Sequence, residues 1–182
     1  MTPPVQRYST PAIALHWLLA IAIVGTFCFG LYMTSLPFSP QRLKLFNWHK
    51  WAGVTILALS ALRLLWRLFN PPPPDVPMPV LQKAAAHAAH NLLYVCFFAV
   101  PLVGWAYSSA AGFPIVLFGV LPLPSFVPVD KALAALIKPW HGRLAIAMMC
   151  IVGLHVLGAL KHQFIDRDRL IARMWPRAAG RI

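Results

Sequence analysis

Two histidines, His141 and His155, stand fourteen residues apart in one apolar stretch. On a helix, at about 100° and 1.5 Å per residue, that step returns to nearly the same face about 21 Å further along. Imidazole is the commonest side-chain metal ligand. Two on one face at two depths therefore point to two metal or haem sites, one above the other. Two further histidines match those depths: His49 opens its own apolar stretch level with His141, and His16 lies a few residues into another, level with His155. The depths pair His49 with His141 and His16 with His155. Two imidazoles on one iron leave no open position for substrate, which suits a haem that only transfers electrons. The chain has no C-x-x-C-H for covalent attachment, so such a haem would be b-type and held non-covalently.

These histidines need elements that span a bilayer. Of the 182 residues 59% are apolar and only 11% charged, against about 25% charged in soluble domains. Four stretches approach or exceed the roughly 20 apolar residues that cross a membrane: residues 13–32, 48–68, 92–109 and 140–160. The expected fold is a single all-α integral membrane domain over residues 1–182, a bundle of four transmembrane helices. Pro71, Pro72, Pro73 and Pro74 cannot continue a helix and end the second stretch. The loop over residues 110–129 is apolar but broken by Gly112, Pro114, Gly119, Pro122, Pro124 and Pro128, so it is expected to lie over the bundle rather than span again. Asp130 is the expected N-cap of the last helix.

The formal charge is +12, and its distribution gives an orientation. With the N-terminus inside, ten cations fall on the inner side (Arg7, Arg63, Arg67, Lys83, Lys161, Arg167, Arg169, Arg173, Arg177 and Arg181). Six fall outside (Arg42, Lys44, Lys50, Lys131, Lys138 and Arg143). The positive-inside rule then predicts both termini inside, with the basic tail over residues 161–182 resting on anionic lipid. Nucleic acid is a poor partner for a chain that is mostly bilayer-embedded.

Other residues fall at the depths of the two sites. Fourteen residues beyond His16 stands Gly30, which removes side-chain bulk at the outer depth; fourteen beyond His49 stands Arg63, a cation at the inner depth. A haem carries two carboxylates that an arginine fork suits, so Arg63 is the inner propionate candidate, with interfacial snorkelling the plainer alternative. Gly53, one turn after His49, would let a flat ring approach, or simply pack helices. Lys50 and Arg143 are the outer propionate candidates, or face headgroups. His90 is a rival ligand at the inner depth, or a propionate or quinone contact with Tyr94 one turn deeper; His87 precedes it by three residues. His162 shares the face of His155 and is a candidate for an inner quinone or proton site, a headgroup contact being the plainer reading. Cys28, Cys96 and Cys150 lie in apolar stretches and read as small hydrophobes.

Ala14–Leu15–His16–Trp17–Leu18, His90–Asn91–Leu92–Leu93–Tyr94, Trp140–His141, Gly153–Leu154–His155 and the run from Asp168 to Pro176 resemble the prokaryotic cytochrome b561 family over nearly the whole chain. The resemblance implies a four-helix cytochrome of the bacterial inner membrane with two haem b groups, one near each face. The matching ligands are His16 and His155 inside and His49 and His141 outside. A member of that family takes electrons from periplasmic superoxide and gives them to ubiquinone, so the resemblance implies superoxide oxidation with ubiquinone as acceptor. The basic outer side, opposed only by Asp130, suits a small anionic donor. Two other readings stay open: a non-enzymatic cytochrome b subunit passing electrons between quinone and a periplasmic redox protein, and a histidine-lined transition-metal transporter.

Overall fold

A computed structural model describes residues 6–176. It contains four long helices: α1 (Thr10–Ser35), α2 (Pro40–Phe69), α3 (Val80–Ala110) and α4 (Lys131–Lys161). All four are long and apolar enough to cross a membrane. Each runs past its apolar stretch, because hydropathy marks only the lipid-facing middle while caps fix the ends. Ser39 caps α2, accepting from the Arg42 amide, and Asn70 closes its far end just before the prolines. Arg177 and Arg181, at the end of the basic tail, lie outside the described residues.

Asp130 caps α4, its carboxylate accepting from the amides of Ala132 and Leu133 at 2.8 and 3.1 Å, while its own amide donates to Ala110 at the end of α3. One residue therefore starts α4 and fixes it to α3. Asp130→Ala is expected to cost about 1 kcal/mol, read as a lowered midpoint of thermal unfolding in detergent.

The helices alternate in direction, α1 packing on α2, α2 on α3 and α3 on α4. Residues such as Ile21, Leu62, Val95 and Leu154 face outward; Ile21 is 70% exposed and Leu154 66%. A collar of such residues around a bundle requires lipid rather than water.

Inside, the four helices repeat a seven-residue step, close to two turns and about 10.5 Å of rise. The steps are His16, Ile23, Gly30 on α1; His49, Ile56, Arg63 on α2; His90, Phe97, Gly104 on α3; and His141, Met148, His155 on α4. The middle members form the core: Ile23, Ile56 and Met148 are buried together with Leu19, Cys96 and Val100, and Phe97 packs against them. An apolar layer contributed by every helix thus separates one histidine layer from the other.

The end where α1 begins and α4 finishes is tied by the segment after α4. A π-helical turn (His162–Asp166) and a 3₁₀ turn (Leu170–Arg173) bring the chain back beneath α1. Arg173, only 6% exposed, donates to the carbonyls of Gln6 and Pro74, both at 2.8 Å, and Trp17 donates to Met174 at 2.7 Å. Arg173 is therefore a clamp between the N-terminal segment and the proline connection, not a cation free to meet lipid. At the opposite end, two strands of two residues, β1 (Val116–Leu117) and β2 (Leu121–Pro122), make a hairpin turned by Phe118 and Gly119 at φ of 52° and 76°. The Trp51 indole donates to Val116 at 2.7 Å and Ile115 is buried, which docks this loop on the ends of the helices.

Candidate functional site

At the end of the bundle carrying the hairpin, α2 and α4 bring His49 and His141 together, ring centres 6.1 Å apart and planes at 90°. One metal atom held between two imidazole nitrogens needs ring centres about 6 Å apart, given metal–nitrogen bonds of about 2.0 Å. Each ring is received by a glycine of the neighbouring helix. A Cβ on Gly30 of α1 would lie 3.1 Å from His49 Cε1, and one on Gly104 of α3 would lie 2.8 Å from His141 Cε1. His141 Nδ1 donates to the Val100 carbonyl at 3.1 Å, which leaves Nε2 as the free nitrogen. His49 Nδ1 is buried with no partner among the described residues. A cavity of about 240 Å³ adjoins both rings, lined also by Gly30, Gly53, Phe97 and Met148.

Lys50 and Arg143 do not line that cavity. The Lys50 ammonium turns to the loop, 3.5 Å from the carbonyls of Phe113 and Pro114, and the Arg143 guanidinium lies over Trp140 at 5.4 Å.

The other end holds three histidines. His16 and His155 have ring centres 6.2 Å apart, while His90 approaches His155 to 5.1 Å. The first spacing suits one metal atom between two opposed imidazoles; the second is too short for that opposed arrangement. Arg63 is close enough to His16, His90 and His155 to act on each electrostatically. Its Nε donates to the Tyr94 hydroxyl at 3.3 Å, and its Nη1 is buried without a partner among the described residues. A buried guanidinium nitrogen facing no carboxylate fits a site for an anion.

Beyond this layer opens a cavity of about 660 Å³, lined by Arg67, His87, His90, His155, His162 and Arg173 among others. His162 is 5% exposed, its Nδ1 donating to Asp168 at 2.5 Å while Gln82 donates to its Nε2 at 3.0 Å. Asp166 completes a group of three potential ligands, but the Lys161 ammonium stands 2.6 Å from its carboxylate and supplies the positive charge there. At the cavity mouth His87 pairs with Asp75 at 3.1 Å, and the Lys83 ammonium, 2.9 Å away, holds the Asp75 carboxyl below the usual carboxylate range.

The residues present fit haem: paired imidazoles at one-metal spacing in both layers, glycine cradles a Cβ would fill at the outer layer, and at the inner layer a buried cation, unpartnered among the described residues, that suits a carboxylate. Residues 7–177 match the sequence model described as prokaryotic cytochrome b561. The chain belongs to the prokaryotic cytochrome b561 family. It is 34% identical over 171 residues to cytochrome b561 homolog 2 of Escherichia coli (strain K12), covering 93% of this chain and 91% of that protein. It is 31% identical over 177 residues to the probable superoxide oxidase CybB of Yersinia pestis, covering 96% and 99%. Cytochrome b561 homolog 1 of Escherichia coli (strain K12) is 30% identical over 176 residues, covering 94% and 98%.

Membership makes this chain a multi-pass bacterial membrane protein for electron transfer, in a cytochrome b561 family that binds haem b. The metal-transporter reading falls with it. Two features of the outer site lie on residues that are not ligand types. Gly104 lies on α3, fourteen residues beyond His90, so the step that singles out Gly30 and Arg63 also reaches it. The Val100 carbonyl carries no side-chain signal at all.

Proposed function

We propose that this protein is a di-haem b cytochrome of the bacterial inner membrane, with both termini inside, that oxidises periplasmic superoxide and reduces ubiquinone. The observation that carries the reading is the pair of histidine couples at 6.1 and 6.2 Å, held at two depths with an apolar layer between. His49 and His141 serve as ligands of the outer haem and His16 and His155 of the inner. Haem, when bound there, supplies one-electron chemistry at each depth.

The protein's own residues do the rest. Lys50, Arg143 and the other outer cations, opposed by Asp130 alone, raise the local concentration of a small anion, and superoxide is one. The name of the Yersinia pestis relative, a probable superoxide oxidase, supports the same donor. Arg63 balances propionate charge on the inner side. We assign ubiquinone to the cavity of about 660 Å³ beside His155. Its reduction takes two electrons from two superoxide ions and two protons from the inner side, releasing two dioxygen molecules. His87 and His162, each bonded to an aspartate, are suited to pass those protons.

Purified protein in detergent, given an enzymatic source of superoxide and a short-chain ubiquinone, is expected to form ubiquinol with no other protein present. The rate should fall about tenfold from low to high salt, because screening removes the steering. Formation of ubiquinol only when a periplasmic redox protein is added would instead favour the cytochrome b subunit reading. That alternative has one structural support, the exposed apolar tip of the loop, where Phe118 is 62% and Val120 83% exposed.

A further inference from the structure

We infer that α3, which supplies no ligand to the outer haem, sets the orientation of its ligand His141 through Gly104 and the Val100 carbonyl. The inference rests on the outer-ligand reading above and adds to it a positioning device on a third helix.

The two contacts act on the same ring from two directions. The Val100 carbonyl accepts from Nδ1 at 3.1 Å, fixing the tautomer and turning Nε2 away from α3. Gly104, one helical turn further along α3, leaves the space the ring occupies: a Cβ there would lie 2.8 Å from Cε1 and 3.0 Å from Nδ1. Real Cβ contacts essentially never come so close, and both ring atoms belong to a stiff imidazole, so the ring itself would have to move. Moving it lengthens the bond to Val100. Between the two lies Pro101, whose ring removes an amide from the helix and favours a bend there.

His49 differs. Its ring sits against Gly30 more loosely, at 3.1 Å, and its Nδ1 has no partner among the described residues. Of the two outer imidazoles, His141 is the one whose direction the protein fixes and whose basicity it raises, since a carbonyl accepting from the far nitrogen makes the ligating nitrogen a better donor. Such supporting contacts typically change metal affinity by about 10- to 100-fold.

The test compares Gly104→Ala, Gly153→Ala and His141→Ala in the full chain loaded with haem. Alanine favours helix over glycine, so Gly104→Ala is expected to fold. A Cβ on Gly153 meets nothing within 4 Å among the described residues, which makes it the control. The readouts are haem per chain, the low-spin signals in electron paramagnetic resonance, and the two midpoint potentials. His141→Ala identifies the signal of the outer site. Gly104→Ala is expected to weaken retention of that same haem about tenfold, to shift its signal, and to raise its potential, with the inner signal and the Gly153→Ala protein unchanged. If His141→Ala removes one haem but Gly104→Ala keeps the parent's stoichiometry, signals and potentials, the positioning role is wrong and the ligand reading stands. If His141→Ala retains both haems, the ligand reading itself is wrong and the inference falls with it.

Discussion

His155→Ala is expected to halve the haem content and to abolish one of two b-type signals in a reduced-minus-oxidised spectrum, leaving the other in place. His16→Ala should do the same to the same signal, whereas His49→Ala and His141→Ala should each remove the other one. The pairing follows from spacing: ring centres 6.1 and 6.2 Å apart admit one metal atom between two opposed nitrogens, and the 5.1 Å between His90 and His155 does not admit that opposed arrangement. His90→Ala is therefore expected to retain two haems. Loss of a haem in His90→Ala, with retention in His16→Ala, would exchange their roles.

The second large effect should come from Arg63, and it should change sign with haem. Arg63 Nη1 is buried with no partner, and the titratable groups near it are histidines and Tyr94, with no carboxylate paired to it, among the described residues. A cation so placed costs stability until an anion arrives, and an unsatisfied buried polar group costs about 1–3 kcal/mol. Arg63→Leu should then raise the unfolding midpoint of haem-depleted protein, since it removes an uncompensated charge. In loaded protein the same substitution should weaken retention of the inner haem about tenfold or more, read as transfer to a haem acceptor, as expected for the loss of a charge-assisted bond. An Arg63→Leu protein that loses stability in both forms would mean that the guanidinium serves packing with Tyr94 instead.

Much of this arrangement was legible in the sequence because membrane helices obey few rules strictly. Lipid forces every backbone amide into helix, so apolar length predicts four spans. Helical periodicity then converts residue number into depth, which is how His16, His49, His141 and His155 sort into two layers before any contact is known. Depth alone does not fix where a long side chain points. Lys50 and Arg143 are at the right height, yet one turns to the loop and the other to Trp140, because the azimuth of a long side chain is set by its neighbours. Arg173 reads as one more cation of a basic tail, but the fold-back after α4 buries it against the carbonyls of Gln6 and Pro74. His162 reads as either a quinone or proton-site residue or a headgroup contact, and its enclosure by Asp168 and Gln82 is not a headgroup contact. Contacts made by long side chains and by segments distant in sequence leave no trace in periodicity, and Gly104 is reached only by carrying the fourteen-residue step to a helix that holds no outer ligand.

The middle layer of Ile23, Ile56, Phe97 and Met148 has an electrical consequence. It holds the two histidine layers fourteen residues apart on α4, about 21 Å of rise, or about 0.7 of a hydrocarbon core about 30 Å thick. An electron moving between those layers therefore crosses about 0.7 of the transmembrane voltage, worth about 1.6 kcal/mol for each 100 mV. In the proposed orientation, with the inside negative, the voltage opposes inward transfer, so an energised membrane should slow or partly reverse the reduction of the inner site by the proposed outer donor. Dissipating the voltage should release it. Under the proposed function the bundle is thus a redox element whose equilibrium shifts with the voltage of the membrane that holds it.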